Sequence, residues 1–159
     1  MNNKLSCVGA LMALLVSVTL FLFGMLKEYQ VDRDIDSLIN RAQVSADSGD
    51  MLLNMQMLQH NMEVYGMTQG HGALFFTTPM TDFNLTYKAV NRIIERLAEV
   101  EKMPKNEVAY QVALDDIRGT IRKLPNPGDM YMWVHYWWIQ ILLCACVVVF
   151  GIFGGFDFE

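Results

Sequence analysis

The central part of this chain contains no cysteine, and its two ends contain almost no charge. Disulfides cannot staple the polar centre, because Cys7, Cys144 and Cys146 all lie in the apolar end segments. Cys144 and Cys146 are two residues apart, which places them on different faces of a helix and argues against a paired thiol site. Basic and acidic residues are mixed along the centre, so no basic patch indicates a nucleic-acid partner.

The sequence also lacks the short motifs that carry chemistry. It has no Gly-rich phosphate loop, no nucleophile elbow, no Cys or His spacing typical of zinc, and no internal repeat beyond heptad-like stripes. The aspartates at positions 32, 34 and 36 alternate along a predicted helix, so their carboxylates do not converge and a solvated face is expected. We therefore predict a protein that is not an enzyme and binds no cofactor.

Two long uncharged segments, residues 5–26 and 130–156, are the most informative feature that is present. A helix rises about 1.5 Å per residue, so either segment can cross the roughly 30 Å of hydrocarbon in a bilayer. No cleavage site follows the first segment, which indicates an uncleaved signal anchor after a tail at 1–4. The predicted fold is an all-α membrane protein, in which two transmembrane helices flank a helical domain at 27–129 and a tail follows at 157–159.

The second predicted span begins with a cluster of aromatic residues: Tyr131, Trp133, Tyr136, Trp137 and Trp138. Amphipathic rings prefer the headgroup depth, so the hydrocarbon core is expected to begin near the last of them. Gln140 lies deeper, and we expect its amide to find a partner across a helix interface.

Two pairs of small residues, Gly9 with Ala13 and Gly151 with Gly155, have the spacing that lets membrane helices approach closely. They predict packing of the two spans on each other or on other subunits, including further copies of this chain. Lys4 and the amino terminus favour a cytoplasmic N-terminus, which places the central domain outside and the C-terminus in the cytoplasm. We expect a bacterial inner membrane.

Apolar residues in the central domain recur at helical spacing in four stretches, about 27–45, 50–66, 79–102 and 105–124. Their stripes are Ile35, Leu38, Ile39, Ala42; Met51, Met55, Leu58, Met62, Tyr65; Phe83, Tyr87, Val90, Ile94, Leu97; and Tyr110, Leu114, Ile117, Ile121, Leu124. Thr78 is the predicted cap of the third helix, with Pro79 in its first turn.

Both ends of this domain must return to one membrane surface, so the number of helical passes is even. If the breaks at 45–50 and at Pro104 are turns, the domain is a small up-and-down bundle of four short helices. If they are kinks, it is a long helical hairpin that needs a partner chain to complete a bundle. The sequence favours the hairpin slightly, because its two arms have similar lengths.

A cluster of methionines with Met57, His60 and His71 suggests copper, because thioether and imidazole together suit Cu(I). The competing interpretation is core packing, since Met51, Met55 and Met62 already occupy stripe positions. The loop after the second helix runs from flexible glycines into Leu74, Phe75 and Phe76. At the tip of a hairpin these apolar residues predict a partner contact, and the alternative is a cap over the bundle end.

Three functions follow, in decreasing order of support. The first is a non-enzymatic accessory or assembly subunit of a larger membrane complex, since the spans and the loop offer contact surfaces. The second is a sensor, because a span, a helical domain and a second span resemble the input half of bacterial chemoreceptors. That resemblance rests on architecture alone, and no output domain is expected beyond the second span. The third is an envelope copper-binding protein.

Overall fold

The computed structural model describes residues 2–73 and 75–154, and within these residues the regular elements are all helices, joined by turns and loops with one isolated β-bridge. The predicted all-helical fold class is confirmed. Contacts divide the chain into two compact units, one of residues 1–29 with 135–159 and one of residues 30–134. The helices are α1 (Asn2–Val31), α2 (Ser37–Val44), α3 (Ser48–Val64), α4 (Phe83–Val100), α5 (Val108–Ile121) and α6 (Pro127–Gly154).

Helices α2 to α5 form a four-helix bundle within the second unit. Helix α3 packs on α2 and α4, and α5 packs on α4 and α2, so the four helices close into a ring. The turns at 45–47 and 101–107 are short, which makes sequential helices antiparallel. The long hairpin favoured by the sequence is therefore wrong: Ser45 and Asp47 both have extended backbone, so the chain turns there instead of bending.

The bundle core is apolar and closely follows the predicted stripes of α2, α3 and α5. Its fully buried side chains include four methionines of and after α3: Met51, Met55, Met62 and Met67. The stripe of α4 is rotated from the prediction, because Thr86 and Ile93 are buried where Tyr87 and Ile94 were expected. The cause is that α4 lies between two neighbours, α3 and α5, while the Tyr87 hydroxyl donates to Glu63 at the surface (2.5 Å).

Two helix starts also differ from the predictions. Thr78 and Pro79 begin a separate 3₁₀ turn, and α4 starts later with Asp82, whose carboxylate accepts from the backbone N–H groups of Asn84 (2.8 Å) and Leu85 (3.3 Å). Pro127 begins α6 instead of belonging to the break before it, as its missing N–H allows in a first turn.

In the other unit, parts of α1 and α6 pack on each other. A Cβ built on Gly24 lies 3.8 Å from Ile139 Cγ2, and the rings of Phe23 and Tyr136 meet edge to face with centroids 6.5 Å apart. Both helices are long and apolar enough to cross a membrane, and only 6% of the residues in the most apolar window of each are buried. Ser17 turns its hydroxyl back to the Ala13 carbonyl (2.5 Å), which satisfies a polar group in an apolar segment.

Candidate functional site

The candidate site lies at the end of the bundle where the chain enters at Gln30 and leaves at Val134. Three elements meet there: a π-helical turn at Asp32–Asp36 between α1 and α2, the end of α3, and the first turns of α6. We call this group the junction. Because α1 and α6 are the apolar helices, the junction is where the bundle is joined to both of them.

The π-helical turn is hydrogen-bonded by a side chain of α3 and by one at the residue that ends α3. A π turn shifts the hydrogen-bond pattern by one residue and leaves a backbone carbonyl without its regular donor. The Asn61 side-chain amide donates to the Asp34 carbonyl oxygen (2.6 Å), and the Tyr65 hydroxyl donates to the Asp34 carboxylate (2.9 Å). Hydrogen bonding from Arg33, followed by Tyr65, lowers the pKa of Asp34, while burial and the Asp34 charge raise the pKa of Tyr65 to about 12.

Asp36 is a buried carboxylate that caps another helix. It is 6% exposed, and its Oδ1 accepts the backbone N–H of Gly128 (3.2 Å) in the first turn of α6. A second backbone bond comes from Asp129. The first N–H groups of a helix have no partner within the helix, and a carboxylate suits them in both hydrogen bonding and charge. Asp36 therefore ties the π-helical turn to the start of α6.

Burial dominates the ionisation of Asp36 and raises its pKa to about 6, with the charges of Asp129 and Asp32 adding to the increase. The hydrogen bonds from the α6 backbone act in the opposite direction. Gly128 is required for this contact, because a Cβ at that position would overlap the Asp36 carboxylate. The expectation that Asp36 lies on a solvated face is wrong. Asp36 neighbours Ile35 at the edge of the apolar stripe, a signal that could have indicated burial.

Two further contacts fix α6 at the junction. The rings of Tyr65 and Tyr131 meet nearly at right angles with centroids 5.6 Å apart. Gly72 lies directly against Met130, so closely that a Cβ on Gly72 would overlap the Met130 side chain. The first turns of α6 are thus contacted by the π-helical turn, by the end of α3 and by the loop that follows α3.

The loop after α3 is paired by backbone hydrogen bonds at its base, and the two phenylalanines near its tip are exposed. The Gly72 N–H donates to the Thr81 carbonyl (2.7 Å) and the Phe83 N–H donates to the Gly70 carbonyl (3.0 Å), which pairs the two ends of the loop. Between them Phe75 and Phe76 are 88% and 86% exposed, and Leu74 lies outside the described residues. The loop belongs to the junction end of the bundle instead of the free tip expected from a hairpin, and the two phenylalanines do not cap the core.

The three copper candidates are all exposed, and two of them lie on the same helix. Met57 and His60 are exposed on α3, and His71 is exposed in the loop. The methionines Met51, Met55 and Met62 are fully buried in the bundle core, as the packing interpretation predicts. Among the described residues no group of three or more His, Cys, Asp or Glu side chains could hold a metal ion.

The small-residue pairs of the apolar helices have different surroundings. Ala13 is buried and Gly9 is half-buried, whereas a Cβ built on Gly151 would meet nothing within 4 Å. Gly155 lies outside the described residues. The close approach to α6 that sequence reasoning missed is at Gly24, which has no small partner four residues away to mark it.

Comparison of the chain with models of known protein families, with curated proteins and with solved structures finds no match.

Proposed function

We propose that this chain is a non-enzymatic integral membrane protein, with α1 and α6 as its spans, and that it acts as an accessory or assembly subunit of a larger membrane complex. Two long apolar helices with only 6% of the residues in their most apolar windows buried support the membrane location, because exposed apolar surface is stable in lipid and not in water. The placement outside the cytoplasm and in a bacterial inner membrane belongs to this proposal.

The observation that carries the proposal is the exposed amide of Gln140 on α6. Ile139 is buried against α1 and Leu143 and Cys146 are half-buried, so this face of α6 is the one that meets α1. The face about a third of a turn away is exposed, and its residues recur at spacings of four, three and four: Gln140, Cys144, Val147 and Gly151.

An amide in hydrocarbon is unfavourable unless it is hydrogen-bonded, and interhelical bonds of this kind stabilise association by about 0.6–2 kcal/mol. Gly151 on the same face leaves open space for a helix backbone to approach. A second membrane helix, from another subunit or from a second copy, satisfies both conditions. The exposed side of α6 is thus the contact surface that we assign to the complex.

Photo-cross-linking in native membranes tests this surface. A photo-reactive benzoylphenylalanine replaces Cys144 on the exposed face, and the matched control replaces Leu142, which is also exposed but points to another side of α6. We expect a discrete cross-linked protein band from the first variant, identified by mass spectrometry, and a clear reduction when Gln140→Leu is added. Equal, diffuse labelling of lipid by both variants, with a monomer in mild detergent, would contradict the proposal.

Membrane insertion has its own test, which precedes the search for partners. An integral protein stays with vesicles after an alkaline carbonate wash, whereas a peripheral protein is released. Release of the intact chain into the supernatant would remove the membrane proposal together with its contact surface.

A second candidate function is a transmembrane sensor, and the junction is the observation that favours it. Helical structure is unbroken from Asn2 to Val44, and the start of α6 is bonded to the π-helical turn through Asp36. A change in the bundle therefore has a direct connection to both apolar helices. π-helical turns are frequent at functional sites, where a helix can shift register.

A sensor requires two arrangements of the junction, and spin labels at Asp32 and Asn126 report on them, because both positions are exposed. For a sensor we expect the distance distribution between the labels to change when pH crosses the pKa of Asp36. A narrow distribution that is the same at every pH would argue against this second function and favour a static subunit.

A further inference from the structure

The exposed loop segment of residues 75–80 is the strongest unexplained surface of the bundle. It presents Phe75, Phe76 and Met80 to solvent, and no charged residue occurs from Gly72 to Thr81. A cluster of large exposed apolar side chains without charge is unusual on a water-facing surface and marks a contact. The position of this loop relative to α6 indicates what it contacts.

The position of the loop is fixed relative to the start of α6. Gly72, at the base of the loop, touches Met130, and the backbone bonds from Gly72 to Thr81 and from Phe83 to Gly70 hold both ends of the loop there. Trp133 follows Met130 by three residues, which is about 4.5 Å along a helix. Trp133 is 59% exposed and belongs to the aromatic group where α6 is expected to meet lipid headgroups.

The reach of the loop matches that depth. Its tip is about four residues from the paired base, and extended chain spans at most about 3.3 Å per residue, so the tip can lie up to about 13 Å from the base. The headgroup layer on each side of a bilayer is about 5–7 Å thick. Phe75 and Phe76 can therefore enter this layer while the base of the loop stays at Met130.

We propose that residues 75–80 form a third membrane contact of this chain, in which Phe75 and Phe76 insert into the lipid headgroup and acyl boundary beside the start of α6. This inference rests on the proposed membrane insertion of α1 and α6. Lipid is the partner that contacts the loop, because the loop lies at the end of the bundle where the chain enters from α1 and leaves into α6, and it carries aromatic rings without charge.

Fluorescence of single labels in the reconstituted full chain tests the loop. Cys7, Cys144 and Cys146 are replaced by Ser, and an environment-sensitive nitrobenzoxadiazole label is attached at Phe76→Cys, with Phe75→Cys as a second position. The matched control is Val108→Cys, which is 79% exposed at the opposite end of the bundle. A third label at Leu142→Cys reports on the span itself. The vesicles are phosphatidylcholine with a fraction of lipid carrying a quencher just below the headgroup.

We expect the loop label to be blue-shifted and at least twofold quenched by the lipid quencher, with the Val108→Cys label in water and unquenched. A loop label that behaves like the Val108→Cys label, while the Leu142→Cys label is quenched, would overturn the loop contact and leave the membrane proposal intact. A loop label that is blue-shifted but insensitive to the lipid quencher would also overturn it, because protein would then cover the loop. An unquenched Leu142→Cys label would overturn the proposed membrane insertion itself.

Discussion

The two ends of the four-helix bundle each contain an aspartate, and the two aspartates have opposite environments. At the far end, formed by the turns 45–47 and 101–107, Asp47 is half-buried and pairs with Lys105 (2.8 Å), and hydrogen bonding from Lys105 lowers the pKa of Asp47. At the junction Asp36 is buried and accepts the backbone N–H of Gly128, and burial raises the pKa of Asp36 to about 6. The aspartate of the far end forms an ion pair in contact with solvent, whereas the carboxylate of the junction is buried and accepts a backbone N–H of α6.

This difference indicates where the bundle is specialised. At the far end, water could replace the hydrogen-bond partners of the polar groups. Substitutions there should therefore have small effects on stability, except where a hydroxyl is buried. The junction depends on one carboxylate and one glycine in direct contact. Four substitutions probe this difference, and the full chain in mild detergent is the sample for each of them.

The largest effect is expected for Gly128→Ala at the junction. The added Cβ would overlap the Asp36 carboxylate and displace it from the N–H groups that it caps, which should lower the free energy of unfolding by about 2–3 kcal/mol. Gly119→Ala in α5 is the matched control, because a Cβ there meets nothing within 4 Å and alanine favours a helix by about 0.5–1 kcal/mol. If thermal unfolding by circular dichroism shows the two variants equally stable, Asp36 does not cap α6 in solution.

At the far end the largest effect is expected for Tyr110→Phe. The buried Tyr110 hydroxyl accepts the Ser48 backbone N–H (3.1 Å) and donates to the Asp47 carboxylate (2.9 Å), so its loss leaves a buried donor unpaired and costs about 1–2 kcal/mol. Tyr87→Phe removes a hydroxyl that bonds Glu63 at the surface, and it should be close to neutral. Chemical denaturation of the two variants measures the contrast, and similar losses would show that the far end does not bury its hydroxyl.

The pH dependence of stability should distinguish the two aspartates. The pKa of Asp36 is raised in the folded state, from 3.8 to about 6, so the folded state binds its proton more tightly than the unfolded state. The contribution of Asp36 is therefore fully present below pH 3.8 and is lost as pH rises through about 6. Asp47, whose pKa is lowered, has the opposite sign, and its contribution is lost as pH falls.

Asp36→Asn removes the first dependence and keeps an amide oxygen for the Gly128 N–H. Relative to wild type, the variant should gain roughly 1–2 kcal/mol as pH rises from 3.8 to about 7, because each pKa unit corresponds to about 1.4 kcal/mol and solvent screening reduces the full value; the difference should then stay constant. Melting temperatures of both proteins across this range give the difference directly and cancel the other carboxylates. A difference that does not vary with pH would show that Asp36 is hydrated.

The smallest effect is expected for Lys105→Ala. The ion pair of Lys105 with Asp47 is exposed to solvent, and exposed pairs are screened by salt and contribute little. We expect a slightly lower melting temperature at low ionic strength that returns to the wild-type value in concentrated salt. A large and salt-independent loss would mean that the far end is as specialised as the junction.

Much of the bundle is predictable from the order of residues, because amphipathic periodicity is local. The stripes of α3 and α5 identify buried residues such as Met55 and Leu114, since positions three and four apart share a helix face. The stripe of α4 is less predictable, because two neighbours cover it and Thr86 is buried with its hydroxyl bonded to the Asp82 carbonyl (3.1 Å). The choice between kink and turn at 45–47 also depends on contacts with α5, which are distant in sequence.

The junction is mostly not predictable, because its partners are far apart in the chain. Asp36 and Gly128 are 92 residues apart, and Asp34 meets Tyr65 only when α3 folds back on the helix before it. A π-helical turn has no periodic signal over five residues. The sequence shows that the segment with Phe75 and Phe76 is apolar. Which end of the bundle carries this loop depends on the number of helical passes, which the structure shows.

The sequence by itself determined two long apolar helices at the ends and an amphipathic helical domain between them, because hydropathy and periodicity are properties of neighbouring residues. Tertiary structure alone decided that the domain closes into a ring of four helices, that Asp36 is buried at the start of α6, and that the apolar loop lies at the junction. The physical reason is that burial and capping depend on groups brought together from distant parts of the chain, and only the packed bundle brings them together.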